Sequence, residues 1–333
     1  MRARLLPVTD PAALEEAARL LREGRLVVFP TETVYGIGAN ALDERAVRGI
    51  FEAKGRPSDN PLIVHLADAR DLPLVAREIP PVARRLAEAF WPGPLTLVLP
   101  RTSAVPNVTT GGLDSVAVRV PEHPGARELL RLARVPIAAP SANRSGRPSP
   151  TRAIDVLEDL GERVDLVLDG GSARVGVEST VLSLLTSPPT LLRPGGLSVE
   201  AIEAVIGPIQ VHAAARTGES AAAPSPGMRY RHYAPKARLV LLPAGTDPFP
   251  EAERLRAEGR KVAVIAPTER AAPGPDTRLP GSREDGAAWA HALFALLRDL
   301  DREGYDTIVI EGIPEAGLGL AVMNRLRKAA AGT

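Results

Sequence analysis

The sequence predicts an α/β protein in two units, a mixed, twisted sheet over the first two hundred residues and a smaller Rossmann-like α/β layer after it. Three observations carry that expectation. Short β-branched apolar runs alternate with segments of helical spacing along the 333-residue chain. Several of the apolar runs follow one another with no helix between, which argues for a mixed sheet instead of an all-parallel one. Residues 208–237 lose every periodicity and fill with Ala, Pro, Gly and Ser, as a linker does. The expected division is 1–207, a linker at 208–237, and 238–333.

The first helix is DPAALEEAARLLREG, 10–24, where Asp10 suits the N-cap, Pro11 the first turn and Gly24 the stop. RLVVFPT, 25–31, is a buried strand. DERAVRGIFEAKG, 43–55, has helical spacing and ends on a glycine; PLIVHLAD, 61–68, is a strand, and PPVARRLAEAFWPG, 80–93, is a helix ended by Pro92 and Gly93. Three further strands are expected in PLTLVLPR (94–101), SVAVRVP (115–121) and VPIAAPSAN (135–143), with a helix in HPGARELLRLAR (123–134) between the second and third. Residues 151–171 read as helix then strand, and 179–196 as a hairpin of STVLSLLT against PTLLRPGG. Beyond the linker come a strand (238–244), a helix near 249–258, a strand (261–267), a long helix at 284–303, a strand (306–312) and a last helix at 318–329. No internal repeat is found.

Composition excludes several classes of function. The formal net charge is +1, so no global field draws the chain to nucleic acid or a membrane, and a polyanion has to be met locally. With no cysteine, disulfides, thiolate nucleophiles and thiolate metal sites are out. No run approaches the ~18 apolar residues of a membrane span. The N-terminus is a charged amphipathic pattern with no apolar signal core, so the expected location is the cytoplasm. Nucleotide and hydrolase signatures are missing: there is no G-x-x-x-x-G-K-[ST], no complete G-x-G-x-x-G, no H-E-x-x-H and no G-x-S-x-G elbow.

What remains are loops at strand ends that carry hydroxyls, amides and isolated cations. They are PTETVYGIGAN (30–40), KGRPSDNP (54–61), VRVPEHP (118–124), APSANRSGRPSPT (139–151), VGVESTV (175–181) and LLRPGG (191–196). Ligand sites of α/β sheets gather beyond such strand ends. The set suits a phosphorylated substrate, with Lys54 and Arg56 for charge and Ser, Asn and Gly-rich backbone for oxygens. Lys is scarce here, four residues among 41 Lys and Arg, so a Lys at 54 hints at a task for a compact ammonium. Bland readings stand beside these: KGRP as a helix C-cap, Ser141 and Asn143 as turn residues, His65 as a hydrogen-bonded core histidine. Arg119, in the apolar alternation VAVRV, needs either an ion-pair partner or a ligand.

The motifs PTETVYGIGANA, KGRPSDNPLIVH, AVRVP, APSANRSG, STV and RPG resemble those of the YrdC-like L-threonylcarbamoyl-AMP synthases. The linker SPGMRYRHYAPKA and the second α/β unit are similar to the long, two-domain form of that family. The resemblance runs from about residue 5 to the final GLGLAVMNRLRKAA, and implies a YrdC-like first domain followed by the smaller C-terminal one. It implies a reaction of L-threonine, bicarbonate and ATP that gives threonylcarbamoyl-AMP and diphosphate, for the threonylcarbamoyladenosine of tRNA. It also implies the site residues. Lys54, Arg56, Ser141 and Asn143 match the K-x-R and S-x-N catalytic set that meets phosphates and nucleotide. Asn60, Ser115, Ser149, Arg193 and Tyr230 match further ATP contacts, while Thr33, His65, Arg119, Ala139 and Ser179 match the threonine pocket. Mg²⁺ is expected on ATP, held through its phosphates, with no protein metal site. The linker, with Tyr230, is expected to cover the site as a lid. Hand-over to a tRNA threonylcarbamoyltransferase complex is an implied partner step, and direct tRNA contact is left open.

Two other classes stay in view. An RNA-binding module would need a basic, aromatic-rich face, against which near-neutral charge and only two Trp and four Tyr argue. A carbamoyl-phosphate-using carbamoyltransferase would share the domain but carry zinc-finger segments, whose thiolates this chain lacks.

Overall fold

The computed structural model describes residues 3–217, 233–270 and 274–331. The chain runs through β1 (Arg4–Pro7), α1 (Pro11–Arg22), β2 (Val27–Phe29), β3 (Gly36–Asn40), α2 (Glu44–Lys54), β4 (Ile63–His65), α3 (Pro81–Phe90), β5 (Leu95–Pro100) and α4 (Asn107–Thr110). It continues with β6 (Ser115–Arg119), α5 (Pro124–Ala133), β7 (Ile137–Ala138), α6 (Ala153–Leu160), β8 (Leu166–Asp169), β9 (Thr180–Ser183), β10 (Thr190–Arg193), α7 (Val199–Ile206), β11 (Gln210–Val211) and α8 (Ala213–Thr217). After the linker come β12 (Arg238–Leu242), α9 (Phe249–Ala257), β13 (Val262–Ile265), β14 (Thr277–Arg278), α10 (Gly286–Arg302), β15 (Thr307–Glu311) and α11 (Gly319–Ala330).

Among the described residues, eleven strands form one sheet in the order β1-β8-β2-β3-β7-β4-β6-β5-β9-β10-β11, and four form a second, β12-β15-β13-β14. The first sheet is mixed: β4 and β6 pair parallel, while β7 runs antiparallel to both β3 and β4. In the second sheet β15 pairs parallel with both β12 and β13, and β13 with β14. The parallel register of β4 and β6 sets His65 opposite Arg119 at the ends of their strands. Two residues 54 positions apart in sequence thereby share one corner.

Local chemistry explains the elements that frame that corner. Asp10 accepts from the Ala12 amide at 2.9 Å and caps α1, and Asp43 does the same for α2 through Arg45 and Ala46. Gly55 closes α2 in the left-handed region, with φ of 60°, and releases the chain towards Arg56. β3 lies inside PTETVYGIGAN, a stretch the sequence reading treats as loop because its glycines weaken strand propensity. Packing requires one of them: a Cβ on Gly38 would lie 2.8 Å from the Phe29 ring and 3.0 Å from Ile137 Cγ2.

The reading of 208–217 as linker changes with the structure. Gln210–Val211 adds an edge strand beside β10, and α8 packs on the last helix, where the Asn324 amide donates to the carbonyls of Ala214 and Ala215 at 3.3 and 3.0 Å. A two-residue strand and a five-residue helix are too short to leave a periodic signature. They carry the first sheet up to the second unit.

The two units meet along α10 and α6 through buried charge. Arg298 is fully buried and donates to Asp159 at 2.8 Å and to the Pro148 carbonyl; Arg302 reaches Asp155 at 3.0 Å, and Arg152 reaches Asp299 at 2.7 Å. Beside them, the 175–177 turn presses so closely on α10 that a Cβ at Gly176 would lie 2.3 Å from the Ala290 carbonyl oxygen, and Gly176 itself has φ of +83°. Gly176→Ala is therefore expected to destabilise the protein by about 1–3 kcal/mol through overpacking and backbone strain. An unchanged urea midpoint would contradict this contact.

Candidate active site

The strand-end loops converge on one recess, about 640 Å³ of empty space counted out to its open mouth. Thr31, Thr33 and Tyr35 come from the turn after β2, Arg56 from the turn after α2, and His65 and Arg119 from the ends of β4 and β6. Ala139, Ser141, Asn143 and Ser149 come from the loop after β7, Glu178 and Ser179 from the turn before β9, and Arg193 from the end of β10. Tyr233 adds a wall from the chain that leads into the second unit.

At one end the Arg119 guanidinium is fixed on three sides. Nε donates to the Gly93 carbonyl at 3.1 Å, Nη1 to Thr33 Oγ1 at 2.9 Å and Nη2 to Glu32 Oε1 at 2.5 Å. Glu32 in turn accepts from the Glu122 amide at 3.1 Å, so the acid is held by the next loop. Arg119 thus has the ion pair of the structural reading while facing the cavity. Next to it His65 is buried, its Nδ1 3.2 Å from the Ile63 carbonyl. Burial, with the Arg119 charge alongside, pushes the His65 imidazole down to about 3. Arg193 Nη2 donates to the Ser179 carbonyl at 2.8 Å, and Ser179 Oγ lies 2.8 Å from Thr96 Oγ1.

The 141–143 turn is knit from within: Ser141 Oγ donates to Asn143 Oδ1 at 2.6 Å, and Asn143 Nδ2 donates to the carbonyls of Arg144 and Arg147 at 2.8 and 3.0 Å. Lys54 stands behind this turn and is absent from the cavity wall. Its Nζ donates to the carbonyls of Ser141 and Asn143 at 2.5 and 2.6 Å. The expectation that Lys54 meets phosphates directly is revised accordingly: as the last residue of α2 it points at the loop and braces it. Burial, then the Arg56 charge, holds its ammonium well below the ordinary lysine range.

Asn60 is fully buried just behind Arg56, and both atoms of its side-chain amide lack a hydrogen-bond partner among the described residues. Ser115 does not join the group. It begins β6, whose other end carries Arg119, and about 3.3 Å per residue separates the two by roughly 13 Å. Tyr230 lies outside the described residues. Glu32 and Glu178 were not singled out from the sequence, although each is an acid in a motif of otherwise apolar and hydroxyl residues, the same signal that marked Arg119.

The charge balance of the wall favours anions, with Arg56, Arg119 and Arg193 against Glu178. A neutral buried His65 also has a consequence for stability. In the unfolded chain it titrates near 6.5, in the fold near 3, so its contribution is whole above about pH 6.5 and is lost as pH falls towards 3. The unfolding free energy should drop between pH 6.5 and 5, approaching about 1.4 kcal/mol per pH unit for one proton. His65→Gln should remove the larger part of that slope in urea titrations; an equal slope in the variant would contradict a neutral imidazole.

Residues 19–195 match the Sua5, YciO and YrdC family model, described as telomere recombination, and residues 197–331 match the model described as threonylcarbamoyl-AMP synthase, C-terminal domain. The threonylcarbamoyl-AMP synthase of Pyrococcus abyssi is 53% identical over 94% of this chain and 92% of its own length. That of Bacillus subtilis is 46% identical over 98% and 95%. The crystal structure of P. abyssi Sua5 complexed with L-threonine superposes with a TM-score of 0.94 at 50% identity, covering 99% of this chain and 98% of that one. The chain belongs to the threonylcarbamoyl-AMP synthase family, in its two-domain form.

Proposed function

We propose that this chain condenses L-threonine, bicarbonate and ATP into threonylcarbamoyl-AMP with release of diphosphate, and that the recess described above is where it does so. One observation supports the placement above others: Arg56, Arg119 and Arg193, from three separate segments of the chain, line the same cavity as Thr33, His65, Ser141, Asn143 and Ser179. L-threonine takes the Arg119 end. After bonding Thr33 and Glu32, both Nη atoms keep a second N–H, so the guanidinium can take a carboxylate in a forked grip. Neutral His65 adds no second cation there.

ATP takes the Arg56 and Arg193 side, with Ser141, Asn143 and Ser149 as further contacts and the buried Asn60 amide as a group a ligand would satisfy. Mg²⁺ enters as part of the nucleotide substrate, through phosphate oxygens; Glu178, the carboxylate in the described wall, is already engaged by Arg325 and Ser149. No protein nucleophile is required. The work is to hold a short-lived carbamate beside the α-phosphate and to meet the charge that builds on diphosphate, which fixed arginines and a braced loop supply. The product is a mixed anhydride that water destroys, so a tRNA threonylcarbamoyltransferase is its proposed recipient, in the cytoplasm where both tRNA and ATP are available.

The test is diphosphate release with Mg-ATP, threonine and labelled bicarbonate, each omitted in turn. Release should need all three, and release that persists without threonine would overturn the reading. Lys54→Ala should slow it at least about 100-fold by loosening the 141–143 turn, on the scale of losing about 2.7 kcal/mol of transition-state stabilisation. Lys261→Ala, an exposed lysine on the Glu303 carbonyl in the second unit, should change little. Equal effects would remove the bracing role of Lys54.

A further inference from the structure

The cavity belongs to the first unit, yet one of its corners is tied to the last helix of the second. Arg325 of α11 is fully buried and its guanidinium is directed at the first unit. Nε donates to Glu178 Oε2 at 2.8 Å, Nη2 to the Pro194 carbonyl at 2.9 Å and Nη1 to Asn324 Oδ1 at 2.8 Å. The guanidinium also lies over the Tyr233 ring, 5.2 Å from its centroid, and that ring stacks on Phe294 of α10 at 5.3 Å. One side chain therefore touches the turn before β9, the turn after β10 and the aromatic wall from the linker.

Glu178 passes this constraint on. Its other oxygen, Oε1, accepts from Ser149 Oγ at 2.5 Å. Burial would by itself raise the Glu178 carboxyl, but the charges of Arg325 and Arg193, with the hydrogen bonds from Ser149 and Arg325, bring it down to about 2. An ionised carboxylate only accepts, so the single proton of the Ser149 hydroxyl is committed to Glu178. What Ser149 has left for a ligand are lone pairs. Such a corner receives an N–H or O–H and repels a phosphate oxygen. Because Glu178 is neutralised by Arg325, the corner asks for a neutral donor.

We propose that Arg325 is a positioning residue of the catalytic cavity, which acts through Glu178 to make Ser149 an acceptor for an O–H or N–H of the nucleoside part of ATP, a ribose hydroxyl or the adenine amino group. The inference rests on ATP occupying this recess and goes further in giving the second unit a specificity role. Without the guanidinium, Glu178 would take up a proton or turn away, Ser149 could rotate, and the preference for a donor would vanish.

The experiment compares the full-length protein with Arg325→Met, Arg325→Lys and Ser149→Ala by calorimetric titration with ATP, 2′-deoxy-ATP, 3′-deoxy-ATP and inosine triphosphate. Wild type should bind one of the three analogues about 10- to 100-fold more weakly than ATP, the span expected for a hydrogen bond to a charge-assisted buried group. Arg325→Met and Ser149→Ala should bind ATP and that analogue alike, the double variant should be no worse than either, and Arg325→Lys should recover part of the discrimination. Arg302→Gln, which loosens the same inter-unit boundary away from the cavity, should lower thermal stability and leave discrimination intact. The proposal fails if wild type ignores all three analogues, if Arg325→Met still discriminates, if the double variant is additive, or if threonine affinity falls while ATP affinity holds. Should Arg325→Met not fold, Ser149→Ala decides by the same readout. Failure of the wild type to bind ATP at all would instead remove the functional reading beneath it.

Discussion

A charged side chain shut away from water has to be met by opposite charge or by carbonyl oxygens, and the fold is organised around that constraint. Lys54, Arg119, Arg193, Arg298 and Arg325 are all buried. The bonds that satisfy them join segments far apart in sequence: Lys54 to the 141–143 turn, Arg119 to Glu32, Arg298 to Asp159, and Arg325 to Glu178. Removing one member of such a pair strands the other, at about 3–5 kcal/mol. Loops tied in this way cannot drift independently. A chain without a cysteine gains rigid cavity walls from ionic cross-links of this kind.

That rigidity is what the proposed chemistry demands. Three substrates have to be held side by side with no covalent attachment to the protein, so the rate depends on groups that are already in place before ligands arrive. Arg119 is locked on three sides and the 141–147 turn is closed by its own side chains. Asn60 stands out against this background as a buried amide that the protein leaves unsatisfied among the described residues. A fully buried amide left so, directly behind the Arg56 side chain, is a group that a ligand would satisfy.

Much of this was legible in the sequence because the signals were chemical contradictions. An Arg in the alternation VAVRV and a Lys in an arginine-rich chain both violate local expectation, and both mark loops that meet at the site. Helices with long apolar periods and capping residues, such as 10–24 and 43–55, lie where they were expected. What the sequence hid was short or relational. β3 is disguised by glycines that close packing demands, and β11 and α8 are too brief to show a period. Ser141 and Asn143, read alone, lean towards turn formers over ligand contacts, and in the structure they close the turn and line the cavity at once. No local pattern ties Glu178 to Arg325, since 147 residues separate them and only the docking of α11 brings them together.

The choice of lysine at position 54 follows from the same physics. The group there must reach two carbonyls of a single tight turn, Ser141 and Asn143, from the buried end of a helix behind the cavity wall. A guanidinium is planar and broad, and its fork matches two oxygens of one carboxylate better than two carbonyls that converge on a point. An ammonium presents three donors around a single atom, so one nitrogen can hold both oxygens. Burial lowers its proton affinity, but even the neutral amine keeps two N–H groups and can still donate to both carbonyls. The brace therefore survives either protonation state, which a carboxylic acid at this position, left without a donor once ionised, would not allow.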